Sequence, residues 1–256
     1  MEKADSKEIM TSIAKSLFSA IPYAGTALTE LIFDYNGRVK QNRLNKFVEI
    51  LSEGFAENSD INIDNIKTEH FNDLFEAVLK RVFITSSERK LVRFKNVIID
   101  ELKVPTELDM ISVHLDLIND LSENELLILY HHKNFNKIYL SERDEIRNTE
   151  KRINIAKLNH HLEIMANDKD MYINKIGQIY DNRKTLEEKH EMLQEYRDPH
   201  FYNLSEEKYF FYVQRLYSKA LLLDSGNQII GVEPFHMMTI TEFGQDIIKF
   251  IKDKDF

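Results

Sequence analysis

Residues 141–196 carry one uninterrupted heptad pattern, and no other feature restricts the fold as strongly. At alternating steps of three and four stand Ile155, Leu158, Leu162, Met165, Lys169, Tyr172, Ile176, Ile179, Arg183, Leu186, His190 and Leu193. Nine of these twelve positions are apolar, and no proline intervenes before Pro199. Such a repeat lets two helices bury one narrow seam together. Continued as a single helix, the stretch would reach roughly 80 Å. A rod of that length has too little surface to stabilise itself. It must pair with a second copy or lie along another helix. Lys169, Arg183 and His190 resist burial; polar seam residues cost stability but fix register and strand number. Asn167, Asp168 and Asp170 form the weakest helical patch, and Gly177 lowers helix propensity further. The unbroken phase favours a straight helix. The weak patch offers the alternative of a fold-back near Asn167 into a helical hairpin.

Composition sets the surroundings of this rod. The chain has 256 residues, 43% of them hydrophobic, which suffices for a core in one or two domains. Only 7 Gly and 4 Pro indicate long helices and few tight turns. The absence of Cys excludes disulfides and thiolate metal sites. Residues 1–10 mix acidic and basic side chains, unlike the start of a signal peptide, so a cytoplasmic location is expected. A net charge of -9 gives no general attraction to nucleic acid.

A series of short amphipathic helices precedes the rod. Ser6 can cap a first helix, and IPYAG at 21–25 breaks it. Thr26 can cap a second helix to about Phe55, whose apolar stripe shifts phase midway and resumes as Leu44, Phe47, Val48, Leu51 and Phe55. Thr68 opens a third, Ser86 and Ser87 interrupt, and a fourth ends before Pro105. Thr106 with Asp109 starts a fifth, and Ser122 with Glu125 forms a capping box for a sixth. Beyond the rod, Ser205 caps a helix to about Lys219. The period then changes, predicting strands at 228–232 and 235–239, before Thr241 caps a last helix. Helix, hairpin, helix is a fragment of a winged-helix unit. The expected fold is mainly α: a helical bundle at 1–135, a coiled-coil rod at 136–200, and a winged-helix-like α+β unit at 201–256.

No motif carries chemistry at a specific spacing. Glu187 and His190 have the Glu-x-x-His spacing of di-iron carboxylate bundles. The only other occurrence, Glu233 and His236, runs through Pro234, so solvated histidines are the expectation and no metal or cofactor is assigned. There is no Gly-x-Ser-x-Gly, phosphate-binding loop or His-Glu-x-x-His. Arg38, Lys40 and Arg43, with Lys80, Arg81, Arg89, Lys90 and Arg93, are candidate anion or nucleic-acid contacts. Residues 9–33 are largely apolar, but Pro22 and Gly25 divide them below the length of a spanning helix. Tyr202, Phe210, Phe211 and Tyr212 are candidates for a partner surface.

Three stretches resemble helical proteins of bacterial anti-phage systems, the abortive-infection alpha type. They are ISVH at 111–114 leading to LSENELLIL at 121–129, ITEFG at 240–244, and IPYAG at 21–25 followed by Arg38, Arg43 and Phe47. The resemblance implies a role in defence against phage and transfers no catalytic residue. The expected function is a non-enzymatic, oligomerising interaction protein. Its seam, Ile155, Leu158, Leu162, Met165, Tyr172, Ile176, Ile179, Leu186 and Leu193, would pair copies of the chain. A phage or host protein would be the further partner. The alternatives are a membrane-disrupting effector using residues 9–33 and a nucleic-acid-binding regulator.

Overall fold

A computed structural model describes residues 37–58, 60–105, 108–163, 169–226 and 231–251. The expectations for residues 9–33, the Ser6 and Thr26 caps and the Thr106 start lie outside this set. The described residues are mainly helical, with one two-stranded antiparallel sheet. They divide into two units, Met1–Leu121 with Lys249–Phe256, and Ser122–Ile248.

The first unit contains α1 (Gly37–Glu57), a 3-10 turn (Ile63–Lys67), α2 (Glu69–Ile84), α3 (Glu88–Lys103) and α4 (Leu108–Asp120). Each start reflects local chemistry. Thr68 accepts from Phe71 N and Ser87 from Lys90 N, so each side chain satisfies a backbone donor that the first helical turn leaves open. The phase-shifted stripe of α1 is the buried one: Leu44, Phe47, Leu51 and Phe55 meet Phe75, Val78 and Val82 of α2 and Phe94 and Ile98 of α3 in one core. A Cβ on Gly54 would stand 2.4 Å from Lys95 Cδ, so the missing side chain lets α1 and α3 approach. The chain end returns to this core. Asn96 Nδ2 donates to Phe250 O at 2.9 Å, and the Phe250 ring lies 5.5 Å from that of His114.

The second unit begins with α5 (Glu123–His131) and a 3-10 turn (His132–Asn134). Ser122 and Glu125 form the expected capping box. Two long helices follow, α6 (Lys137–Glu163) and α7 (Lys169–Leu193), and they pack antiparallel. The pairing is explicit in Gln194 with Tyr139, Lys189 and His190 with Glu142, and Arg183 with Glu150. The straight rod is thereby corrected to the hairpin alternative. The reason is visible at the polar seam positions: Arg183 and His190 find carboxylates on the preceding helix, so the seam of α7 faces α6 of its own chain. Ile176, Ile179, Leu186 and Leu193 are half-buried. Ile155, by contrast, is 59% exposed. Leu158, Leu162 and Tyr172 lie outside the described side chains, and Met165 outside the described residues.

After α7 come 3-10 turns at Gln194–Arg197 and Pro199–Tyr202, then α8 (Glu206–Ser218), β1 (Leu222–Asp224), β2 (Met238–Ile240) and α9 (Glu242–Ile248). Ser205 caps α8 and Thr241 accepts from Gly244 N at 2.9 Å, as the spacing predicts. The strands differ from expectation. The strand that pairs with β2 is Leu222–Asp224, Leu223 facing Thr239; of the strand expected at 228–232, residues 228–230 lie outside the described residues and Gly231 stands in a turn. Within 235–239 only the last two residues are extended, because Phe235 has φ 68°, which no strand tolerates. The Asp224 carboxylate accepts from Gly226 N and Phe235 N, both at 2.9 Å, and closes the connection.

The division between units also differs from the three parts expected. Residues 122–135 belong with the hairpin and the sheet. Glu125 of α5 is fully buried and pairs with Arg215 of α8 at 3.2 Å, and Ile240 N donates to Phe135 O at 2.8 Å.

Candidate functional site

A run of tight turns after α7 builds the most distinctive surface of the second unit. Asp198 accepts from His200 N at 2.9 Å and Pro199 stands at the first position of its turn, where a missing N–H costs nothing. Asn203, in the left-handed region at φ 54°, ends that turn and releases the chain into α8. Tyr202 stacks on Tyr209 with ring centroids 5.6 Å apart, and its hydroxyl donates to Tyr196 O at 2.8 Å. Burial pushes both tyrosine hydroxyls well above their ordinary pKa. Phe210 stacks on His236 at 4.8 Å. Between these elements lies a cleft of about 300 Å³, lined by Arg197, Asp198, Glu206, Phe210, Phe235 and His236 among others.

Arg197 ties the cleft to the interior. Its guanidinium carbon lies 3.9 Å from the Phe135 ring centroid. Nη1 donates to Tyr139 Oη at 3.4 Å and Gln194 Oε1 at 3.3 Å, and Nη2 to Met238 O at 2.8 Å. Burial holds this guanidinium below its ordinary pKa. Close by, His132 is fully buried; Nδ1 donates to Ile128 O at 2.8 Å, and burial lowers its pKa to about 3.

A second polar cluster locks the base of the hairpin. Glu142 accepts from Lys189 Nζ at 2.7 Å and faces His190 Nε2 at 3.1 Å, while the His190 ring stacks on Tyr139 at 4.2 Å. Hydrogen bonds from Lys189, then His190, hold the Glu142 carboxyl below the usual range. Glu187 of the Glu-x-x-His pair bonds Arg183 at 2.8 Å. The two members therefore serve different partners. Among the described residues no group of three or more His, Asp or Glu is placed to hold a metal ion.

The candidate anion contacts all lie in the first unit, which brings their two stretches together and largely engages them. Arg43 Nη1 donates to Phe83 O at 2.5 Å, Lys80 pairs with Glu76 at 2.7 Å, and Arg81 Nε bonds Asp116 at 3.0 Å. Lys90 donates to Asn119 O. Arg38 and Arg89 are exposed and Lys40 is half-buried. Arg93 is the correction: it is fully buried, on the face of α3 that meets the core, and cannot reach a phosphate in solvent.

Of the candidate partner-surface residues, Phe211 is 55% exposed, Phe210 and Tyr212 are half-buried, and Tyr202 is buried. Tyr202 was misplaced because a tyrosine in a polar turn gives no sign that its ring packs inward. Sequence reasoning missed Arg197 and Phe235 as cleft residues and weighed His236 only as the partner of Glu233; Arg197 stands far along the chain from the adjoining Phe235 and His236, so no spacing links them. No described helix is long and apolar enough to cross a membrane. Comparison with protein-family models, with curated proteins and with solved structures finds no match to this chain.

Proposed function

We propose that this chain is a non-enzymatic interaction protein that assembles with copies of itself through its helical hairpin and acts in bacterial defence against phage. One observation carries the assembly. The Glu150–Arg183 pair sets Ile155 level with Gly177 and within a turn of Tyr180. Ile155 is 59% and Tyr180 40% exposed, and nothing lies within 4 Å of where a Cβ on Gly177 would stand. A seam residue left open beside a bare backbone is what a knob from a second hairpin can fill. In this reading the hairpin is an antiparallel coiled coil, and the helix–hairpin–helix end is a winged-helix-like unit that engages a phage or host protein. The defence setting rests on the resemblance at 111–129 and 240–244.

Light scattering on the full-length chain tests the assembly. The expected mass is twice 30.3 kDa or more, returning to 30.3 kDa in Ile155→Lys. A wild-type mass of 30.3 kDa overturns self-association. Plaque counts on a bacterial host expressing the chain test the setting: protection is expected from the wild type and lost in Ile155→Lys. Unchanged plaque counts across a panel of phages overturn the defence role.

A further inference from the structure

We infer that the cleft of the second unit binds an organic cation: an ammonium or guanidinium head group held by the Asp198 and Glu206 carboxylates, with its carbon stem against Phe210 and Phe235. This goes beyond the proposed assembly, which does not use the cleft.

The carboxylates supply the charge. Elsewhere Glu76 pairs with Lys80, Asp116 with Arg81 and Glu142 with Lys189. Asp198 and Glu206 line the cleft, and among the described residues neither pairs with a cation. Asp198 Oδ1 accepts from His200 N at 2.9 Å, which leaves Oδ2. Carboxylates lining a cleft with apolar walls attract a cation that brings its own N–H donors.

Arg197 lines the same cleft, and its charge opposes that of the ligand. Its donors are committed inward. Nη1 donates to Tyr139 Oη and Gln194 Oε1, Nη2 donates to Met238 O, and Nε is buried. The guanidinium carbon rests 3.9 Å from the Phe135 ring centroid. One cation tied to the interior against two carboxylates leaves the lining net acidic.

Acidic residues alone do not make a site; here separate parts of the chain bring aromatic side chains to them. Phe210 stands four residues beyond Glu206 on α8, on the same helix face. Phe235 comes from the connection between β1 and β2. It sits in the left-handed region at φ 68°, which a bulky residue rarely adopts, and the Asp224 carboxylate holds it there by accepting from its N–H at 2.9 Å. Residues held under such strain cluster at binding sites. Organic cations are attracted to aromatic rings, and their carbon stems pack on them. The volume of about 300 Å³ sits at the small end of ligand pockets and suits a ligand the size of one side chain.

Amide NMR of the labelled full chain at pH 7.5 would follow titration with propylammonium, ethylguanidinium and propionate. Saturable shifts centred on Phe210, Phe235 and His236 are expected from the cations, the tighter one identifying the head group, and none from propionate. Glu206→Gln should weaken the cation by about fivefold, and so should Asp198→Asn, whose amide oxygen can still accept from His200 N. Phe235→Gly removes the ring and suits the left-handed backbone, so it should weaken binding without lowering the melting temperature. If Asp198→Asn does not fold, the other two variants decide. A blocked Gly-Lys-Gly or Gly-Arg-Gly peptide separates the sources of the cation. Tighter binding than the free head group assigns a basic side chain of a partner protein, and equal or weaker binding assigns a free small molecule. Absence of shifts from both cations, propionate binding as well as they do, or full affinity in Glu206→Gln or Phe235→Gly would each overturn the site.

Discussion

His132 shows how much one side chain can bias stability. It is fully buried, and desolvation drops its pKa to about 3. In the unfolded chain an imidazole titrates near 6.5. Between those values the unfolded chain binds the extra proton and the folded chain does not. The second unit should therefore hold full stability from this group above pH 6.5 and lose about 1.4 kcal/mol per pH unit on descent towards 3. Urea midpoints for α6 and α7 at pH 7.5, 6 and 5 measure this slope, and His132→Gln should flatten it. Gly244 is a second single-residue control. A Cβ there would stand 2.3 Å from the Leu221 carbonyl oxygen, a backbone atom that cannot turn aside. Gly244→Ala should lower the stability of the second unit by about 1–3 kcal/mol, read as a urea midpoint shift. Neither effect is legible in the sequence. His131 and His132 are neighbours of one type, yet only the fold decides that one is half-buried among rings and the other sealed.

At the scale of elements, helix starts are more legible in the sequence than strands: of the strand expected at 235–239 only the last two residues are extended, and β1 carries no signal. Thr68, Ser122, Ser205 and Thr241 all cap where their spacing predicts, because a cap is made within four residues, and Ser87, expected only to interrupt the pattern, caps as well. The strand at Leu222–Asp224 escapes notice because it follows α8 after a left-handed Ala220 at φ 58°, a turn that the run Leu221–Leu223 conceals. The hairpin lies between these cases. Its heptad phase was legible, but a seam specifies burial without naming the partner. Glu142 sets the partner. Glu142→Ala should leave Lys189 and His190 without their acceptor and cost the hairpin about 1 kcal/mol. Because the carboxyl is held below its usual range, that contribution is present above the ordinary carboxylate pKa and is lost as pH falls through the depressed value. A thermal melt of Glu142→Ala at pH 7 and pH 3 checks both statements: a difference from wild type at the former that shrinks at the latter.

At the scale of the whole molecule, the chain end is a component of the first unit although it follows the second in sequence. Phe250 is 6% exposed in the core that also holds Phe47 and Phe94. Phe250→Ala should destabilise that core by about 3–5 kcal/mol. Hydrogen exchange should then quicken in α1–α4 and stay unchanged in α6 and α7. Faster exchange in both sets would show the units to unfold together.

The amino-acid sequence by itself determined that the protein is mainly helical, where most helices start, and which stripe of each is apolar. These follow from interactions within a few residues, which are readable along the chain. Tertiary structure alone decided that the seam of α7 closes on α6 of the same chain, that Arg93 and Tyr202 turn inward, and that Arg143 and Arg197 share the segment at 237–238. Those outcomes depend on contacts between residues tens of positions apart. Such contacts form only when burial of the whole core offsets the entropy of closing the intervening chain.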